Sequence, residues 1–167
     1  MLEYPVLLVF PLAMIYAAAM DFFTMTIPNR ASIALVAGFF AAAVLGGLGW
    51  FDVLKHMAAA VVVLAVAIVL FARGWIGGGD AKLAAATALW LGFDQLLNYL
   101  LYASLFGGVL TFMILRFRLM PLPAALANQE WAQRLHRMDT GVPYGIALAL
   151  AALIIYPDTP WMKSFGG

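Results

Sequence analysis

Long apolar runs, separated by short polar or glycine- and proline-marked breaks, make up most of this chain. A helix crossing hydrocarbon needs about 20 mostly apolar residues, with a working range of roughly 17 to 25. Six stretches approach that length: 5–22, 31–49, 56–72, 81–93, 96–115 and 143–157, the fourth and sixth being short. Turn residues or charges mark the connections at Pro28-Asn29, Gly46-Gly47, Gly77 to Gly79, Asp94-Gln95 and the long segment 116–142. No internal repeat and no low-complexity tail is visible. The pattern predicts an all-α polytopic membrane protein, a single membrane-embedded domain over 1–167 with about six transmembrane helices. Within 116–142, Ala127, Trp131, Leu135 and Met138 recur at helical spacing, with Glu130, Arg134 and Arg137 elsewhere around the turn. That spacing predicts a short cytoplasmic loop helix on the inner leaflet with Trp131 as its anchor. A solvated linker that contains a helix fits equally well.

Composition agrees with a bilayer setting. Hydrophobic residues make up 66% of the chain and charged residues 10%, against about 25% charged in a soluble domain. A net charge of +1, without a Lys/Arg cluster, gives no basis for a nucleic-acid partner. With no cysteine there is no disulfide, thiolate metal site or cysteine nucleophile. His56 and His136 lie far apart without ligand spacing and read as loop residues near the headgroups, so neither a metal nor a cofactor is expected. The opening Met-Leu-Glu3 lacks the basic start and small-residue cleavage site of a secretory signal, so the first run is expected to be a retained helix.

Lys/Arg asymmetry sets the expected orientation. With both termini outside, the inner loops carry Arg30, Arg73, Lys82, Arg116, Arg118, Arg134 and Arg137, and the outer side only Lys55 and Lys163. Glu3, Asp52, Asp94 and Asp158 then fall outside, while Asp21 and Asp80 face the cytoplasm.

Those last two carboxylates are the candidate chemistry. Asp21 ends the first run and Asp80 opens the fourth; two spans between them return the chain to the same face. Ionisable groups in so apolar a protein are costly and mark function by default. Two neighbouring carboxylates share a proton, so one can activate water while the other protonates a substrate carbonyl. The bland alternative is a pair of unrelated, solvated helix-end charges. The macrodipole disfavours negative charge at the end of the first helix and favours it at the start of the fourth, which assigns Asp80 as the ionised base and the shared proton to Asp21. Gly77, Gly78 and Gly79 permit positive φ and close backbone approach, as an extended substrate strand requires. Lys82 reads as a snorkelling charge rather than a base, and Asn29 as the N-cap of the second helix near the pair. Pro143-Tyr144-Gly145 opens the last span on the inner face, lining a cavity or simply initiating a helix.

Asp21 followed by Ile27-Pro28-Asn29, then Gly77-Gly78-Gly79-Asp80-Ala81-Lys82-Leu83 and Leu89-Trp90-Leu91-Gly92, resembles the type IV prepilin peptidase family. More narrowly it is similar to the short, peptidase-only members serving Flp/Tad-type pili, with Val142-Pro143-Tyr144-Gly145 a weaker third match. The GxGD element is shared with preflagellin peptidases and, more loosely, presenilin-like proteases. The resemblance implies that Asp21 and Asp80 are the catalytic pair of a metal-free aspartic endopeptidase. Ile27, Pro28, Asn29, Gly77, Gly78, Gly79, Lys82, Pro143, Tyr144 and Gly145 would shape the site or bind substrate. It further implies removal of a short basic leader from prepilins, after a glycine, at the cytoplasmic edge of the inner membrane. The partners would be a prepilin, the lipid bilayer and pilus assembly or secretion machinery. The larger members also methylate and carry paired Cys-x-x-Cys elements; this chain has no cysteine, and no methyltransferase activity is expected. The loop after Asp21, Phe-Phe-Thr-Met-Thr, is less basic than the family pattern, and no acidic inner surface is evident for a basic leader. Two rivals keep the same pair: a presenilin-like protease cutting inside helices, and a small proton-coupled transporter using the carboxylates as a relay.

Overall fold

The computed structural model describes residues 6–165, with side chains through Met162. Glu3, the predicted helix start at Pro5 and the Lys163 side chain lie outside the described residues. Every element among the described residues is helical: α1 Val9–Thr24, α2 Asn29–Leu45, α3 Trp50–Ala72, α4 Gly78–Leu119, α5 Glu130–His136 and α6 Gly145–Ile155, then a 3-10 turn Tyr156–Asp158 and α7 Pro160–Phe165. Two of them, α3 and α4, are long and apolar enough to cross a bilayer, while α1, α2 and the stretch from α6 through the 3-10 turn are shorter apolar helices.

Helix α4 is two helices in one. Gly92, at φ 62° and ψ −173°, is non-helical and in a region that only glycine adopts without strain. The helix kinks there, and Leu96 beyond the break packs on the cluster of Val63, Ala85 and Ala88. The expected connection at Asp94-Gln95 therefore falls inside a helix, and the true break is earlier by two residues. Interrupting the helical ladder strands carbonyls of the preceding turn, and side chains take them: His56 Nδ1–H donates to Leu89 O at 2.8 Å and Trp161 Nε1–H to Trp90 O at 2.8 Å. His56 is thus not a loop residue. Helix α3 starts at Trp50, ahead of the expected 56, and carries His56 within it.

Around this break sits an aromatic core. Trp90 donates to Leu35 O at 2.7 Å, Phe10 stacks on Tyr156 at 4.4 Å, and Phe39, His56 and Trp161 close the cluster. All of these rings except His56 are buried, and aromatic pairs of this kind add about 0.5–1.5 kcal/mol each beyond area burial. The core fixes α1, α2 and the first half of α4 against one another, and it is these elements that carry Asp21 and Asp80.

The segment after α4 departs from its sequence pattern. Only 130–136 is helical, so Ala127 and Met138 lie outside the helix, and the buried positions are Ala132 and Leu135. Trp131 does not stand alone as an anchor: its ring lies 5.2 Å from Phe22 and 6.4 Å from Phe23 at the end of α1, where Arg134 also donates to Phe23 O at 2.7 Å. Arg118, expected as an inner-loop charge, lies in the last turn of α4, is buried and donates to Leu135 O, Thr140 Oγ1 and Gly141 O at 2.8, 3.0 and 2.8 Å. One guanidinium thereby ties the end of α4 to the loop leading into α6. His136, expected in a loop, is the last residue of α5, and its Nε2–H donates to Met120 O at 2.8 Å. At the exposed tip of the loop that follows, the Arg137 guanidinium hydrogen-bonds Asp139 and holds that carboxyl below the usual carboxylate range.

Candidate active site

Helix α1 stops one turn past Asp21. Thr24 Oγ1 donates back to Met20 O at 2.6 Å, and Met25 turns into the left-handed region (φ 56°) with its N–H on Asp21 O at 2.8 Å. A non-glycine residue held there costs on the order of 1 kcal/mol. Pro28 then fixes the approach to α2. Asn29 is the first residue of α2 rather than its cap, and no side chain caps that helix. Its Oδ1 accepts instead from Lys82 Nζ at 3.0 Å, a bridge from α2 to α4.

Asp21 and Asp80 line one cavity of about 290 Å³, together with Met25, Thr26, Ile27, Gly77, Gly78 and Gly79. Each carboxylate is held in the same way. Asp80 Oδ2 accepts the Gly77 N–H at 3.2 Å, and Asp21 Oδ2 accepts the Gly145 N–H at 2.7 Å. Gly77 caps α4 and Gly145 opens α6, so both oxygens sit at a helix start, where backbone N–H groups and the macrodipole favour an anion. Asp21 ends its own helix but faces the beginning of another, which removes the premise on which opposite dipole environments were assigned to the pair. No other hydrogen bond is made to either carboxylate among the described residues, leaving each Oδ1 for water, proton or substrate.

The glycines are required by space, not by φ. Gly77, Gly78 and Gly79 all have ordinary negative φ; the left-handed glycine of this turn is Gly74, at φ 73°. A Cβ on Gly77 would lie 2.9 Å from Asp80 Oδ2, and one on Gly79 would lie 3.0 Å from Ile27 Cβ. A Cβ on Gly145 would lie 2.6 Å from Ile27 Cδ1 and 2.8 Å from Asp21 Oδ2. Ile27 is therefore a wedge seated on glycines of two helices, α4 and α6. Gly78 is the least constrained, facing the Phe71 ring at 3.4 Å.

The remaining predicted positions stand behind the cavity. Lys82 lines a separate apolar hollow with Ser32, Val36 and Leu64. Pro143 is fully buried and lies before the cap of α6, not at its first position. Tyr144 caps α6 and packs its ring on Gly107 so closely that a Cβ there would fall inside the ring's van der Waals envelope, with its hydroxyl on Ala103 O at 3.4 Å. Met25, Thr26 and Gly107 were missed by sequence reasoning. Only Met25 and Thr26, lying between Asp21 and Ile27, had a positional signal.

A family model for the type IV leader peptidases matches residues 8–112, which include Asp21, Ile27 to Asn29 and Gly77 to Asp80. The chain belongs to the type IV leader peptidase family. No curated protein and no solved structure gives a significant match. Family membership makes this a protease of the leader-peptidase type and, with its two long apolar helices, a membrane protein. Gly145 lies beyond the matched segment, so its hold on Asp21 is read from the geometry of this leader peptidase alone.

Proposed function

We propose that this leader peptidase is a membrane-embedded aspartic endopeptidase that removes the basic leader from Flp-like type IV prepilins. The observation that carries this reading is the shared cavity in which each carboxylate is tied by one oxygen to a glycine N–H and keeps the other free. Two carboxylates this placed hold a single proton between them, because ionising both in a confined space is unfavourable. The ionised member takes a proton from water as that water attacks the scissile carbonyl, and the protonated member donates to the carbonyl oxygen. Collapse of the tetrahedral species returns a proton to the leaving amine. Oxygens pinned to backbone N–H groups need no reorganisation during these transfers.

The topology belongs to the same proposal: about six spans, both termini outside, and the pair at the cytoplasmic face where the Lys/Arg-rich loops lie. The first half of α4, residues 78–91, is about 20 Å long at 1.5 Å per residue, against a hydrocarbon core near 30 Å. A helix that short either starts below the headgroups or thins the bilayer, and irregular backbone at such depth is tolerated only beside protein or a water-filled cavity, the second of which hydrolysis also needs.

The test is cleavage of a leader-bearing prepilin by the purified protein. Asp21→Asn and Asp80→Asn each abolish processing at normal abundance, and the double variant is no worse, because the two residues act as one unit. Substantial turnover by either single variant refutes the dyad. Loss of proton-coupled flux without any prepilin cleavage by the wild type would replace the protease reading with a transporter.

A further inference from the structure

A peptide bond inside a helix is a poor substrate: its carbonyl is engaged in the helical ladder and flanked by side chains. To be attacked by water on one side and protonated on the other, the scissile segment must be unwound. An unwound backbone in a setting poor in water must find new hydrogen-bond partners, each missing one costing several kcal/mol.

Beside the two aspartates, the non-helical backbone that follows α1 can supply them. Residues 25–28 run between α1 and α2 without regular structure and, through Met25, Thr26 and Ile27, form one wall of the cavity. Ile27 precedes Pro28, which biases it to extended geometry, and Pro28 itself is extended (φ −70°, ψ 143°). The hydrogen bonds of this segment are only partly used. Met25 N–H is spent on Asp21 O, Thr26 O takes a long bond from Thr24 at 3.3 Å, and Pro28 O takes Ala31 N–H at 3.0 Å. Thr26 N–H, Ile27 N–H and Ile27 C=O make none among the described residues. Thr26 is exposed and Ile27 half-buried, so the segment is open to the cavity. Its position is fixed by the seating of Ile27 against Gly79 and Gly145.

We infer that Thr26 and Ile27 form a short template in this enzyme: the substrate's leader junction pairs in extended form, by β-strand addition, with the unused N–H and C=O of Ile27. The inference rests on the peptidase reading of the site. It gives the wedge a purpose, since Ile27 fixes the template at one distance from both carboxylates. It also gives recognition a basis that needs no acidic surface, because strand pairing reads backbone while alternate side chains point to and away from the enzyme. The ligand class is an extended peptide of a few residues spanning the cut, and the apolar segment that follows can remain helical in the membrane.

The experiment uses the full-length enzyme in detergent with a synthetic leader-junction peptide and a set of analogues, each N-methylated at one amide other than the scissile one. Pairing to Ile27 predicts one sensitive amide: KM rises about tenfold for the methyl group at the substrate N–H that faces Ile27 C=O and stays within about twofold at the positions either side, with kcat little changed. A flat profile, or one following side-chain identity, overturns the template. As a second readout, carbonyl-13C peptide bound to the Asp80→Asn protein gives an amide I band of sheet type; a helical band also overturns it. If the unmodified peptide is not cleaved at all, the peptidase reading fails. If it is cleaved but the profile is flat, only the template fails.

Discussion

Adding one methyl group at Gly145 tests how the dyad is held. In Gly145→Ala the new Cβ would meet Ile27 Cδ1 at 2.6 Å and Asp21 Oδ2 at 2.8 Å, with Asp21 Cβ at 3.2 Å. The Ile27 contact is the far end of a flexible side chain and can give way. The oxygen cannot retreat without stretching its 2.7 Å bond to the Gly145 N–H. A hydrogen bond to a charged group is worth about 1.5–3 kcal/mol, and each 1.4 kcal/mol is tenfold in rate. Losing that bond therefore lowers kcat/KM roughly 10- to 150-fold, while overpacking costs about 1–3 kcal/mol of stability. Gly141→Ala is the matched control: it makes the same chemical change shortly before α6, where a Cβ meets nothing within 4 Å. The assay is cleavage of a leader-bearing substrate in detergent, with Tm measured on the same preparations. Activity of Gly145→Ala within about twofold of Gly141→Ala would refute the anchoring role of this glycine.

The neighbouring pair Gly107 and Gly108 gives a second contrast: Gly107→Ala drives into the Tyr144 ring and lowers both Tm and activity, whereas Gly108→Ala, with open space at its Cβ inside α4, holds or raises Tm by a few degrees through its higher helix propensity. His56→Ala strands the Leu89 carbonyl at the Gly92 break and costs about 1–3 kcal/mol, read as a lower Tm in thermal unfolding. For topology, the natural absence of cysteine permits single-cysteine labelling: cysteines replacing Thr24 and Gln133 react only from the cytoplasmic side, and those replacing Asp52 and Asp94 only from outside. Labelling of positions 24 and 133 from opposite faces would defeat the orientation drawn from Lys/Arg asymmetry.

Span counting brought Asp21 and Asp80 to one side of the molecule from sequence, because apolar length is a strong signal and parity needs no side-chain detail. The Gly92 break was less legible. Asp94-Gln95 has the polarity of a loop, yet polar residues near a helix end need only an exposed face, whereas φ 62° needs a glycine. The early start of α3 had a readable cue in Asp52 and Lys55, which pair at 2.9 Å with helical spacing. Asn29 was placed one position early because capping statistics carry no knowledge of Lys82, which reaches it from another helix. Arg118 could not have been read at all: its acceptors, Leu135, Thr140 and Gly141, are backbone and side-chain oxygens scattered over the following loop, and nothing in their identities announces an arginine. The Gly145–Asp21 bond falls in the same class, a pairing of a backbone N–H with a carboxylate from the other end of the chain.

Glycines hold both carboxylates, and the choice of backbone over side-chain donors has a physical reason. An Arg or Lys placed to orient an aspartate would favour its ionised form and oppose the proton sharing proposed for this pair. A backbone N–H at a helix start brings direction and a partial charge of about half a unit spread over the first turn, without a full counter-charge. In the geometry found here a Cβ on the donor residue would crowd the accepting oxygen, at 2.9 Å for Gly77 and 2.8 Å for Gly145. Gly79 does something different: it makes room for Ile27, and through Ile27 the start of α4 is spaced from the start of α6. The glycine-x-glycine-aspartate element thus divides its labour, the first glycine fixing an oxygen and the second fixing a distance. The middle position faces only the edge of Phe71 at 3.4 Å, ordinary contact, and has no comparable constraint. On this account a small side chain at 78 is tolerated where the same change at 77, 79 or 145 is not, and the order of sensitivity follows from contact distance together with how freely the contacted atom can move.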